Sequence, residues 1–160
     1  MAASHEKGAR RLLYSDDLFG LNFLRLHGLL LLPSATALTL APESRVAIAD
    51  YIYDPNRSQR RATLRVFRGM VHTVVNRILQ LQEPDFIMQT ATGTLGVRGT
   101  EWYALMKPNS TLVYLTRGGL ALETVNPSKL ALDPMFWLEM FSNRFTLPRG
   151  ITPADIDMLR

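Results

Sequence analysis

The chain has 160 residues, 47% of them hydrophobic and 20% charged, with a formal net charge of +4. That length suits one domain able to bury about 70% of its unfolded surface, and the composition is too apolar for a disordered chain. Cysteine is absent, which excludes disulfides, thiolate catalysis and cysteine-ligated zinc, and the mild positive charge permits anionic partners without arguing for them.

Residues 1–17 are polar and basic and read as a poorly ordered N-terminus. Arg10, Arg11, Arg25 and the run Leu29–Leu32 lead into "SATA", which has the outline of a signal peptide with a cleavage site at Ala35 and Ala37. Asp16 and Asp17 in the basic region, and Arg25 and His27 in the apolar one, argue instead for a basic terminus followed by an apolar strand. Leu18 to Leu32 is apolar without a clean period and is taken as strand. No apolar run reaches the about 20 residues that span a bilayer, so no transmembrane segment is expected.

From Ala37 the alternation is clear. "ALTLAPESRVAIADYIYDP" predicts two strands with a turn at Ala41–Ser44. "DPNRSQRR" is a wet turn-forming loop. "ATLRVFRGMVHTVV" resumes as strand, with Gly69 marking a turn or bulge. The stretch from Leu79 to Val125 holds at least four more strands, broken at Glu83–Pro84, Gly99, Pro108–Asn109 and Gly118–Gly119. Short strands at this spacing indicate an all-β sandwich, barrel or solenoid. After Asn126, Asp133-Pro134 before "MFWLEMF" has the form of a helix start, and Thr152-Pro153-Ala154-Asp155 that of another. The domain plan is therefore an N-terminus at 1–17, an all-β domain at 18–126 and a helical extension at 127–160.

Little in the chain carries chemistry. "GTLGVRGTEWYAL", Gly93 to Leu105, holds three glycines at intervals of three. A phosphate loop needs a second glycine where Arg98 stands, then a lysine; a dinucleotide fingerprint needs different spacing and a following helix. The stretch reads as a β corner in which Arg98 is either a solvated turn residue or, as favoured, folds inward to satisfy turn carbonyls, or Glu101, with its five-donor fork. Thr90, Thr92 and Thr94 would then line one strand face as a hydroxyl ladder. His5, His27 and His72 are too far apart in sequence for a local metal site, and no nucleophile elbow surrounds any serine, so no catalytic residue, metal or cofactor is assigned. A metal-dependent hydrolase would need His72 to meet two carboxylates in space. Asp50 and Asp54 suit solvated strand ends better than an acid/base pair. Arg57, Arg60, Arg61, Arg65 and Arg68, with Tyr51, Tyr53 and Phe67 nearby, make a basic cluster that reads as a wet hairpin, and no nucleic-acid partner is expected. "MFWLEMF" is apolar on nearly every helical face, which predicts burial against the sheet or a docking helix.

Over Leu38 to Val125 the chain resembles the FecR domain family. Thr92, Gly96, Val97, Arg98, Gly99, Thr100, Glu101 and Trp102 carry that family's core pattern, and Gly118 and Gly119 match its later glycine-containing hairpin. "LTLAPESRVAIADYIYDP" and "LRVFRGMVHTVVNRI" resemble its upstream strands. The resemblance implies an all-β, β-helix or sandwich-like FecR domain, here with one or two short C-terminal helices. It also implies a periplasmic or otherwise extracytoplasmic setting and a non-enzymatic role in signal sensing or protein–protein interaction. The partner would be another protein or a cell-envelope component. The family's named member relays transport status to a sigma factor, and this sequence shows neither the cytoplasmic anti-sigma region nor the transmembrane helix of that role. The alternative is a carbohydrate- or cell-wall-binding module. Tyr51, Tyr53, Tyr114 and Trp137 are the candidate interaction residues for either.

Overall fold

The computed structural model describes residues 24–25, 28–32, 36–54, 59–75, 86–97 and 99–160, with side chains described in 36–50, 61–75, 86–97 and 99–160. The described strands are β1 (Leu24–Arg25), β2 (Gly28–Leu32), β3 (Thr36–Leu40), β4 (Arg45–Asp54), β5 (Gln59–Val75), β6 (Phe86–Gln89) and β7 (Gly93–Val97). They continue with β8 (Glu101–Met106), β9 (Thr111–Arg117), β10 (Leu120–Thr124), β11 (Lys129–Leu132), β12 (Phe136–Met140) and β13 (Arg149–Gly150). One helix, α1 (Pro153–Leu159), closes the described chain.

The strands form two layers that share β5. Sheet A runs β1-β4-β5-β6-β7-β10-β11, and sheet B runs β2-β3-β5-β8-β9-β12-β13. All described pairings are antiparallel except β5 with β6. The 17 residues of β5 belong to both layers because the strand bends at Gly69, whose φ is +93°. The hydroxyl of Ser44 fills the space a Cβ would take at Gly69, donates to the Met70 carbonyl at 3.1 Å and accepts from the Met70 amide at 3.2 Å. The predicted bulge and the predicted Ala41–Ser44 turn are thus one device: Ser44 N–H donates to Ala41 O at 3.2 Å, and the same residue pins the bend of the next strand.

Alternation explains the core. Leu38 and Leu40, Ala62, Leu64 and Val66, Phe86 and Met88, Leu95 and Val97, Trp102 and Ala104, Leu120 and Leu122, and Leu138 and Met140 all point between the layers. Trp102 is fully buried and meets Phe86 edge-on at 5.7 Å between ring centroids.

Beyond β6 the chain passes between layers at three places with different local chemistry. Between Val97 and Glu101 it leaves β7 in sheet A for β8 in sheet B, through Gly99 at φ +59°. At Gly118–Gly119 it returns from β9 to β10. β9 and β10 do not pair with each other, so the expected glycine hairpin is an inter-layer crossing. At residues 133–135 it passes from β11 to β12. The first two crossings stack. A Cβ on Gly118, itself at φ +87°, would lie 2.5 Å from Gly99 O, and Thr100 Oγ1 donates to Gly119 O at 2.9 Å. "GTLGVRGTEWYAL" is therefore a β corner, as its spacing predicts. Arg98 itself lies outside the described residues, and the described partners of Glu101 are His72 and Arg117.

Two expectations are corrected. "MFWLEMF" is strand and not helix over Phe136–Met140. Met135 takes a left-handed φ of +65° after Pro134, which turns the chain instead of starting a helix. All five residues of β12 then pair with Thr111–Leu115 of β9, which would otherwise present an open sheet edge. The second error concerns the threonines. Thr90 and Thr92 lie in the β6–β7 turn, with only Thr94 inside β7, so the three do not share a strand face. Thr90 and Thr92 join Thr111 in a hydroxyl cluster, with Thr92 Oγ1 to Thr111 Oγ1 at 2.8 Å. At the C-terminus the predicted helix start is found. Thr152 and Asp155 form a reciprocal cap, Thr152 N–H to Asp155 Oδ2 at 2.7 Å and Asp155 N–H to Thr152 Oγ1 at 3.3 Å.

Candidate functional site

The outer faces of the two sheets differ in kind. Across sheet A, pairing aligns Ala47, Arg65, Gln89, Thr94, Glu123 and Lys129 in one row. Arg65 Nε donates to Gln89 Oε1 at 2.9 Å, and Lys129 sits 3.9 Å from Glu123. Such a polar ladder is at ease in water. Across sheet B, the equivalent row is Thr39, His72, Tyr103, Tyr114, Trp137 and Arg149. It is aromatic and largely stacked. His72 and Tyr103 are 4.1 Å apart and nearly parallel, Tyr114 and Trp137 are 5.3 Å apart at 20°, and the Arg149 guanidinium lies 5.9 Å from the Trp137 ring centre. Each such cross-strand pair contributes about 0.5–1 kcal/mol.

Helix α1 covers the middle of this row. Leu159 packs with Leu112 and Tyr114, and Met70, Leu105, Trp137 and Ile151 flank them as a second apolar cluster. That cover explains "TLVYL" in β9, which is apolar in both directions: Val113 and Leu115 face the main core, and Leu112 and Tyr114 face α1. Beside α1 the cover stops. A cleft of about 380 Å³ opens between the β3–β4 turn and the end of the helix, floored by His72 and Tyr103.

The electrostatics follow the geometry. His72 Nε2 lies 3.0 Å from Glu101 Oε1, and Arg117 Nε lies 3.9 Å from Glu101 Oε2. Burial pushes the Tyr103 phenol above its ordinary value; the Glu101 carboxylate adds to the rise, and Arg160 opposes it. Burial also raises Tyr114, helped by Asp155 and Glu139. Among the described residues, no three histidine, aspartate or glutamate side chains converge on a metal position. His72 meets one carboxylate, Glu101.

The candidate interaction residues from the sequence fall in two places. Trp137 and Tyr114 are direct partners in the sheet B row, where Trp137 is half-buried and Tyr114 is only 3% exposed. Tyr51 and Tyr53 lie on β4, opposite Ala62 and Arg60, with side chains outside the described set. The four do not form one exposed aromatic strip, since Tyr114 is covered by Trp137 and Leu159. Of the motif residues, Thr92, Val97, Thr100 and Trp102 are buried, and Gly96 and Glu101 are partly so. In the basic cluster, Arg61 lies 3.7 Å from Asp50, and both are exposed. The sequence singles out neither Tyr103 nor Leu159, and His72 only as a would-be metal ligand. The signal lay in the register: each sits opposite, or over, an aromatic residue two or more strands away in sequence.

The sequence model of the FecR protein family matches residues 28–121. Two solved structures of chains assigned as an anti-sigma factor from Parabacteroides distasonis ATCC 8503 share the fold. Each superposes with a TM-score of 0.62 at 15% identity; one covers 83% of this chain and 59% of its own, the other 86% and 63%. The chain thus spans about three fifths of the length of these neighbours. No curated protein matches it in sequence. No helix among the described residues is long and apolar enough to cross a membrane.

Proposed function

The chain belongs to the FecR family, and from that premise we propose that it is a regulatory, non-enzymatic domain that binds another protein through the outer face of sheet B. The contrast between the two faces carries this proposal. A sheet face meant only for water is built like the Arg65–Gln89–Thr94–Glu123–Lys129 row. On sheet B the parts of the row to either side of the covered Tyr114, the His72–Tyr103 stack and Trp137 with Arg149, are built like an interface, where aromatic residues and arginine concentrate. The assignment of the two solved neighbours as anti-sigma factors makes transcription the natural output. The family resemblance makes the periplasm the natural setting, with a protein or other cell-envelope component as partner. A glycan platform is less well served, because Tyr114 offers no free ring face.

The test is genetic and biochemical together. Deleting the gene in its host should change transcription of a limited set of genes. A Tyr103→Ala, Trp137→Ala chain, present at normal abundance and folded, should reproduce that change, whereas Lys129→Ala on sheet A should not. An unaltered transcript profile in the deletion strain, or a sheet B variant that behaves as wild type, would sink the proposal. Cell fractionation of the wild-type chain checks the compartment.

A further inference from the structure

We propose that the cleft beside α1 is a peptide-anchoring site, taking an apolar side chain followed by a carboxylate from the partner protein. This rests on the reading of sheet B as the interaction face and deepens it by naming what the face grips.

The walls are apolar: Ala41 and Pro42 from the β3–β4 turn, Met70 just past the bend of β5, and Leu159 from the helix. The space of about 380 Å³ is ample for one branched aliphatic side chain, the usual anchor of an interface pocket. The floor is the stacked His72–Tyr103 pair, held flat by its 4.1 Å contact and by the His72–Glu101 bond. A rigid floor takes a side chain without first having to be ordered.

Charge decides what accompanies the apolar group. The carboxylate nearest the floor, Glu101, is engaged by both His72 and Arg117. Arg160 lines the cleft at its rim and is exposed. Its charge is felt at the Tyr103 phenol, where it opposes the other influences. An entering carboxylate meets Arg160 and the Tyr103 hydroxyl; an entering ammonium meets a cation and an already occupied Glu101. The cleft is also continuous with the aromatic row through Tyr103, whose ring stacks on His72.

The probe is a blocked tetrapeptide with one leucine followed by one glutamate, titrated into the isotope-labelled full chain and followed by nuclear magnetic resonance. A second peptide carries lysine in place of glutamate. The glutamate peptide should shift the methyl groups of Met70 and Leu159 and the ring of His72, and bind about fivefold tighter than the lysine peptide, as one partly exposed ion pair allows. Arg160→Ala should abolish that preference and keep the leucine-driven shifts. Arg160 is exposed at the end of α1, so folding is not at stake, and the buried methyls of Val71 and Leu115 report on it directly. Equal binding of the two peptides, shifts centred on the sheet A face, or no shifts at millimolar peptide would overturn the proposal. A bound peptide alongside an unchanged transcript profile would leave the anchoring site standing and count against the regulatory role alone.

Discussion

Thr73 and Trp102 face each other across β5 and β8 in the centre of the core, both fully buried. Thr73 Oγ1 and Trp102 Nε1 find no hydrogen-bond partner among the described residues. A buried hydroxyl without a partner has given up water and received nothing. Thr73→Val keeps the shape and removes that penalty, so it should raise stability by about 1 kcal/mol in urea unfolding; a loss of similar size would show that the hydroxyl is satisfied after all. Contrast Thr92 and Thr111, equally buried, whose hydroxyls bond each other at 2.8 Å. Sequence could not tell these threonines apart. Each sits in an alternating pattern, and whether a hydroxyl is met depends on what the neighbouring strand brings to it. Gly69 and Gly118 were easier to read. Glycine between strands signals positive φ or close approach, and both positions show the two together.

Elements are tied together at their ends, and Glu139 shows how. It stands on the outward side of β12, accepts from Ser110 Oγ at the β8–β9 turn, and has Lys107 Nζ at 3.3 Å. The Ser110 hydrogen bond holds its carboxyl below the ordinary value of 4.5; burial opposes it, and the hydrogen bond and charge of Lys107, with the charge of Arg144, add to the lowering. A carboxyl lowered in the folded state contributes stability above its unfolded value, and that contribution is lost as pH falls through the folded value. Glu139→Gln should therefore be less stable than wild type at neutral pH, and the gap should close on acidification below about 4.5. A gap that is constant with pH would mean that packing, and not charge, sets the effect. The element most misread was β12 itself. Phe136, Leu138 and Met140 alternate with Trp137 and Glu139, a period of two that was present in the sequence. Asp133-Pro134 outweighed it, because the same dipeptide opens helices and turns alike. The open edge of β9 settled the matter, and no local pattern reveals an edge. α1 was readable because its capping box is local chemistry, complete within Thr152–Asp155.

At the scale of the molecule, the two layers hold their alignment through the stacked crossings at Gly99–Thr100 and Gly118–Gly119. Gly118→Ala would place a methyl against Gly99 O and impose side-chain strain at φ +87°. It should lower stability by on the order of 3 kcal/mol, read as a shift of the denaturant midpoint. Gly119→Ala is the control, since nothing lies within 4 Å of its Cβ position, and it should be nearly neutral. Equal effects would refute the stacked-crossing account.

The sequence by itself determined the all-β class, the glycines at the bend and crossings, the corner at "GVRGT" and the family resemblance. These follow from period, turn chemistry and steric need, all properties of a few adjacent residues. Tertiary structure decided which sheet each strand joined and that β12 was a strand. It also decided that His72, Tyr103, Tyr114 and Trp137 formed one row under α1. Those four residues stand on β5, β8, β9 and β12. Alternation gives each a side of its own strand, and only cross-strand register, fixed by the packing of the whole core, makes those sides a single face.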